Sequence, residues 1–252
     1  MVEFVLDLPP AVEPLHVGGL TAGSKRVRHL AKMLLRRRPR VSWGRLRRMQ
    51  PVSDDWGLER GTPVDRVYIE QFLERHAEDV RGRVLAIRDT RYTRAYGGAR
   101  VTSSDVLDIN SQNREATIVA DLAGEESLPA QRFECAIVTQ TLQFVGRPGV
   151  AVANLWRSLA PGGVVLITVP STSLVDPDWR DTDLWRFTPR GLETLLRRFG
   201  DWDELEVTGY GNLLTSLAFL IGAADVDLRR AKLSFENENF PLVACGRARK
   251  PA

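Results

Sequence analysis

Cysteine is nearly missing from this 252-residue chain, which has only Cys135 and Cys245. Two thiols cannot build a disulfide framework. Each lies in an apolar run, where a free thiol packs as a small hydrophobe, so a reducing compartment is expected. Histidine is as scarce. His16, His29 and His76 all precede the segments that read as a sheet, and no Cys or His pair has ligand spacing. Metal-centre, Ser-His-Asp and Cys-His readings therefore lack residues to carry them, and no metal is expected. Long apolar runs are missing too. The longest, Leu213–Ala224, is too short to span a bilayer. The opening MVEFVLDLPPAVEP has no basic-then-apolar signal arrangement, which leaves a cytoplasmic protein as the expectation.

Acidic residues are missing only locally. None occurs between Pro14 and Ser53, while Lys25–Arg48 carries eleven Lys or Arg, although the whole chain has a net charge of +3. Within that stretch Ser24 can cap a helix over 24–38 whose Val27, Leu30, Ala31, Leu34 and Leu35 form a stripe, and Pro39 ends it. A basic amphipathic helix suits an acidic partner, an anionic surface or a solvated face. Aromatic interleaving is limited to Trp43, which argues against nucleic acid. We therefore expect 1–53 to be a basic, partly helical extension able to dock a protein partner, and 54–252 to be the main domain.

What the chain has in plenty is βαβ patterning. Phe133–Gln140 is a short apolar run, the mark of a strand buried on both faces. Gly149–Leu159 places Val150, Val152, Ala153, Leu155, Trp156 and Leu159 mostly on one helical face, and Pro161-Gly162-Gly163 should stop that helix. Val164–Val169 is a second buried strand. Two such strands should lie parallel with a right-handed crossover, and ligands should bind beyond their carboxyl ends, at Thr139-Gln140-Thr141 and Pro170-Ser171-Thr172. Further strands are expected at Arg83–Arg88, Arg100–Asp105, Ala116–Leu122, Glu204–Thr208 and Phe240–Ala248. Helices are expected from Thr62-Pro63, over Gly191–Phe199 and over Asn212–Ala224.

The stretch F-E-C-A-I-V…L-Q-F-V, the L-A-P-G-G turn and the V-V-L-I-T-V-P strand resemble the second half of a class I S-adenosylmethionine-dependent methyltransferase. That resemblance implies an α/β, Rossmann-like methyltransferase fold: a mostly parallel seven-stranded sheet with an antiparallel last strand. The lead-in W-G-L-E-R-G-T-P-V-D-R-V-Y-I-E-Q-F-L resembles a bacterial methyltransferase-domain group often found beside or fused to glycosyltransferases. The helix before the first strand commonly covers the cofactor in such proteins, which by resemblance makes Arg60, Asp65, Arg66 and Tyr68 site candidates.

The loop after the first strand departs from the family pattern. An acid and a G-x-G-x-G run are usual there; this chain has Ala86 and Arg88, and glycine returns only at Gly97-Gly98. The bacterial group tends to carry E-I-x-D-x-x-Y-T, which Asp89, Tyr92 and Thr93 match. Asp105 stands nineteen residues after Ala86, near the spacing at which a carboxylate grips both ribose hydroxyls, with Asp108 as the runner-up. Asp121-Leu122 matches the D-L pair that lies against adenine in this fold. The resemblance thus implies an S-adenosylmethionine site with Asp89, Tyr92, Asp105, Asp121, Leu122, Gln140 and Tyr68 as binding candidates.

For the acceptor, W-R-F-T-P-R-G-L resembles a common methyltransferase segment, and the loop before it should hang over the strand ends. Arg66, Trp179, Trp185 and Arg186 are the substrate-binding candidates. Any base for an oxygen acceptor must be a carboxylate, with Asp176, Asp178 and Asp65 as candidates. The expected activity is methyl transfer to the O or N of a small molecule, a sugar or secondary-metabolite intermediate. Ala86 and Arg88 motivate the alternative, a methyltransferase-fold protein that no longer methylates and acts through a partner or by another reaction.

Overall fold

In the computed structural model, β4 (Phe133–Thr139) is the strand the sheet grows from. Gly44, Arg47 and residues 49–252 apart from Glu126 are described. The expected helix over 24–38, and the extension of which it forms part, lie outside the described residues.

Along β4 the pleat sends successive side chains to opposite faces. Cys135 and Ile137 enter one apolar cluster and Ala136 and Val138 the other, which Phe133 joins across an irregularity between Phe133 and Cys135. Both faces are covered, which is why the run reads as continuously apolar. β5 (Leu159–Pro170) divides in the same way, with Val164 and Leu166 on the first face and Val165, Ile167 and Val169 on the second. On the first face pack Tyr68, Ile69, Phe72 and Leu73 of α1 (Val64–Arg75), and on the second Val152 and Leu155 of α3 (Pro148–Ser158).

The sheet has seven strands in the order β3-β2-β1-β4-β5-β7-β6. β1 is Gly82–Ile87, β2 Val101–Asp108 and β3 only Ile118–Val119. β6 (Glu204–Tyr210) and β7 (Val243–Arg249) complete it. β7 runs antiparallel to both β5 and β6, and the other pairings are parallel. This is the α/β sheet expected from the sequence.

Boundaries differ in informative places. The helix before the P-G-G turn ends at Ser158, and the chain enters β5 at once, with Leu159 paired to Phe133. Pro161-Gly162-Gly163 therefore forms an irregularity inside the strand, where Gly162 has φ +71°. β2 runs on to Asp108 because β1 continues to pair with it, Ile87 opposite Leu107. The Ala116–Leu122 segment forms just two residues of strand, since β3 pairs only with the end of β2.

The other α-helices among the described residues are α2 (Arg91–Gly97), α4 (Pro189–Phe199), α5 (Leu213–Leu220) and α6 (Arg230–Leu233). Their starts follow local chemistry. The Thr188 hydroxyl accepts the Gly191 N–H at 3.0 Å with Pro189 next in line. Asn212 and Thr215 cap α5 reciprocally, Thr215 N–H to Asn212 Oδ1 at 3.1 Å and Asn212 N–H to Thr215 Oγ1 at 2.9 Å. α5 and α6 are inserted between β6 and β7. The lead-in is pinned to this insert. Val52 N–H donates to the Ile221 carbonyl at 2.7 Å, and Arg60 holds Asp227 with two hydrogen bonds of 2.7 and 3.0 Å. No helix among the described residues is long and apolar enough to cross a membrane.

Candidate functional site

Two adjoining cavities open at the carboxyl ends of the parallel strands. The first, about 550 Å³, is walled by Ala86–Asp89 at the end of β1, Asp108 and Asn110 at the end of β2, Thr139–Thr141 at the end of β4, and Arg66, Arg91 and Tyr92. The second, about 220 Å³, lies under the loop between β5 and α4 and is bounded by Trp56, Asp65, Gln143, Phe144, Asp176 and Phe219 among others. Arg66, Arg88 and Gln140 belong to both walls, so the cavities are joined there.

The backbone is unusual at that junction. Arg88 has φ +70° and Gln140 has φ +46°, left-handed conformations that side-chain-bearing residues seldom adopt. Each ends a central parallel strand, and such outliers cluster where function fixes the backbone. Gln140 Nε2 is buried with no hydrogen-bond partner among the described residues, while its Oε1 accepts from Gln143 Nε2 at 3.4 Å. An unmet buried donor on the cavity wall is a feature a bound ligand would satisfy.

Asp108 is the carboxylate at the end of β2. Its Oδ1 accepts the Asn110 N–H at 2.9 Å and its Oδ2 accepts Asn113 Nδ2 at 2.7 Å. A carboxylate oxygen has two lone pairs, so each keeps one for a ligand, an arrangement that fits a vicinal diol. Asp89 also lines the first cavity and caps the start of α2 through Arg91 N–H at 2.9 Å. Tyr92 faces the cavity, and its hydroxyl accepts from Arg66 Nη1 at 3.3 Å.

Several expected site residues stand elsewhere. Asp105 is inside β2, opposite Leu85, where its carboxylate lies 3.4 Å from Arg83 and 3.2 Å from Arg132 and accepts from Thr117 Oγ1 at 3.1 Å. The sequence pattern ends β2 at Asp105, three residues before the strand's actual end, because pairing with β1 continues beyond it. Tyr68 is fully buried in the α1 face, and its hydroxyl donates to the Leu233 carbonyl at 2.9 Å. Arg60 is occupied by Asp227. Asp121 accepts the Ala123 N–H at 2.9 Å in its own turn and Leu122 is in the core; neither lines the cavities.

The acceptor-side candidates divide similarly. Asp65 lines the second cavity and its Oδ1 accepts the Arg66 N–H at 2.8 Å. Desolvation of the carboxyl pushes its pKa up to about 6, against the opposing pull of Arg66. Asp176 lines the same cavity, accepting the Asp178 and Trp179 N–H groups at 2.9 and 3.3 Å. Asp178 is an exposed loop residue outside both cavities. Arg186 reaches the cavity wall but is committed to Asp183 at 2.5 and 2.8 Å. Trp185 Nε1 donates to the Val145 carbonyl at 3.0 Å, and Trp179 packs on Phe144 with ring centroids 6.0 Å apart. Both tryptophans tie down the loop and stand outside the cavity walls.

No protein-family model and no curated protein matches this sequence. Solved structures do match. A SAM-dependent methyltransferase from Archaeoglobus fulgidus aligns with a TM-score of 0.50 at 16% identity, over 73% of this chain and 94% of that one. The N-methyltransferase NodS from Bradyrhizobium japonicum, solved with S-adenosyl-L-homocysteine, aligns with a TM-score of 0.51 at 14% identity, over 80% and 94%. The fold is that of the Rossmann-like methyltransferases. Within that fold the first cavity lies at the carboxyl ends of β1, β2 and β4, on the side where open α/β sheets bind ligands.

Many wall residues carry no local signal, among them Asn110, Asn113, Gln143 and Trp56. Asn110 and Asn113 sit in a polar loop without a motif, and Gln143 and Trp56 reach the second cavity only through folding. The only local signal for Asn113 is indirect. A loop with no glycine after β1 needs some other group to hold it.

Proposed function

We propose that this protein is an S-adenosylmethionine-dependent methyltransferase acting on a small molecule, with a sugar or secondary-metabolite intermediate as the acceptor class. The observation that carries the reading is the pair of joined cavities, the larger with an Asp108 carboxylate keeping one free lone pair on each oxygen. Its volume of about 550 Å³ lies within the range of cofactor sites, about 300–1,000 Å³.

In this reading Asp108 accepts from both ribose hydroxyls, and Asp89, Tyr92 and Gln140 line the remainder of the cofactor cavity. Asp121-Leu122, outside the cavity wall, act by shaping the turn beside it. Arg66 and Arg88 face the seam between cofactor and acceptor, where a guanidinium suits a carboxylate. When bound, S-adenosylmethionine supplies a methyl group already activated on sulfur, so in-line placement of the acceptor O or N provides much of the rate. Asp65 takes the acceptor hydroxyl's proton, because a desolvated carboxyl with a pKa of about 6 is a better base than an ordinary aspartate. Asp176, which lines the same cavity, orients the acceptor. The loop carrying Trp179, Trp185 and Arg186 closes the second cavity from above.

Residues 1–53, rich in Lys and Arg, are assigned to partner docking, and the reducing cytoplasm suits two free, buried cysteines. Titration calorimetry with S-adenosylmethionine tests the central reading. Saturable binding is expected, and no detectable binding at millimolar ligand would overturn it in favour of a methyltransferase-fold protein that does not methylate.

A further inference from the structure

The loop after β1 has no glycine between Ala86 and Tyr96, yet it takes a turn that favours glycine. Arg88 has φ +70°, and across it the Asp89 N–H returns to the Ile87 carbonyl at 2.9 Å. That closes a γ-turn of the rarer, positive-φ kind. An arginine persists there only where its surroundings over-determine the backbone. Two contacts do so. The Arg88 N–H donates to the Leu107 carbonyl of β2 at 3.0 Å, and the Arg88 carbonyl accepts from Asn113 Nδ2 at 2.7 Å.

Asn113 has a second task. The other hydrogen of its amide nitrogen goes to Asp108 Oδ2 at 2.7 Å, and its Oδ1 accepts the Glu115 N–H at 3.0 Å. One side chain thus ties the backbone after β1 to the carboxylate ending β2, and is itself held by its own loop.

We propose that Asn113 is a positioning residue of the cofactor site. It holds Arg88 in the left-handed turn and aims Asp108, giving this loop the shape that glycines give elsewhere. The arrangement also keeps a guanidinium in the wall shared by both cavities, which a glycine could not supply. The inference rests on the cofactor reading above.

The test is calorimetric titration of the full-length protein and its variants with S-adenosylhomocysteine. Asn113→Ala should weaken binding roughly tenfold or more, the loss of two hydrogen bonds, one of them to a charged group. Asn113→Asp keeps the shape but lacks the two hydrogens, and should lose at least as much; it also serves if the alanine variant does not fold. A merely structural role would not predict the third result. In an Arg88→Gly background the Asn113→Ala step should cost at least about threefold less, because glycine takes the turn unaided. Unchanged affinity in Asn113→Ala, or an equal loss in both backgrounds, overturns the proposal. Failure of the unmutated protein to bind overturns the cofactor reading instead, and with it this one.

Discussion

Arg186 grips the Asp183 carboxylate with two hydrogen bonds, 2.5 Å to Oδ1 and 2.8 Å to Oδ2, and reaches the Leu174 carbonyl at 2.7 Å. The Asp183 side chain is only 3% exposed and also accepts the Asp176 N–H at 2.9 Å. Arg186, expected to meet substrate, instead braces the loop roofing the second cavity. Burial alone would raise the Asp183 pKa, but the Arg186 hydrogen bonds and the Asp176 N–H outweigh it and hold it below the usual carboxylate range.

Asp183→Asn should therefore destabilise the fold by about 1.5–3 kcal/mol, the scale of hydrogen bonds to a charged group. A folded-state pKa below the unfolded value of about 3.9 gives stability that is present at neutral pH and lost as pH falls through that region. Urea melts of both proteins should converge at low pH. A constant difference down to acid would refute the ion pair's role.

Asp108 and Asp105 give opposite expectations. Asp108→Ala should weaken S-adenosylmethionine by about 1.5–3 kcal/mol or more, since in the proposed function both its oxygens accept from the ribose hydroxyls. Asp105→Ala should leave that affinity unchanged and cost about 1 kcal/mol of stability through its pairs with Arg83 and Arg132. Calorimetry and thermal melting separate the two.

Asp65 carries a pH dependence of its own. With its carboxyl pushed up to about 6, turnover of a hydroxyl acceptor should rise through that pH and level above it. Asp65→Asn should abolish the rise and lower kcat by roughly a hundredfold or more. Stability should move the other way. A raised folded pKa gives stability that is present below the unfolded value and lost as pH rises through about 6, so the Asn variant should be more stable at neutral pH by about 1–3 kcal/mol. A flat kcat profile in the unmutated enzyme would reject the assignment.

Tyr68→Phe removes one buried hydrogen bond to the Leu233 carbonyl. About 1 kcal/mol of stability should be lost, with cofactor affinity unaltered. A fall in affinity would return Tyr68 to the site.

Residues 133–170 announced the central strands and the crossover because burial on both faces leaves a local signature. Every position in β4 except Glu134 and the strand-end Thr139 had to be apolar, whichever neighbours it would meet. The starts of α4 and α5 were legible for a similar reason, since Thr188-Pro189 and Asn212 act on groups a few residues away. Gln140 is legible on the wall from its strand end, which needs only chain direction, and Asp89 from its match to the E-I-x-D-x-x-Y-T pattern.

What folding alone decided is which polar side chain stands free. The end of β2 depends on how long β1 keeps pairing with it, and three further residues of strand put Asp108 rather than Asp105 on the cavity wall. Arg60, Tyr68 and Arg186 looked equally functional in the chain, but Asp227, the Leu233 carbonyl and Asp183 claim them. Two of those partners are more than 160 positions distant, beyond the reach of any local pattern. Apolar periodicity is a property of one segment and survives in the sequence. The availability of a carboxylate or guanidinium depends on its partners in space, and only the tertiary structure supplies them.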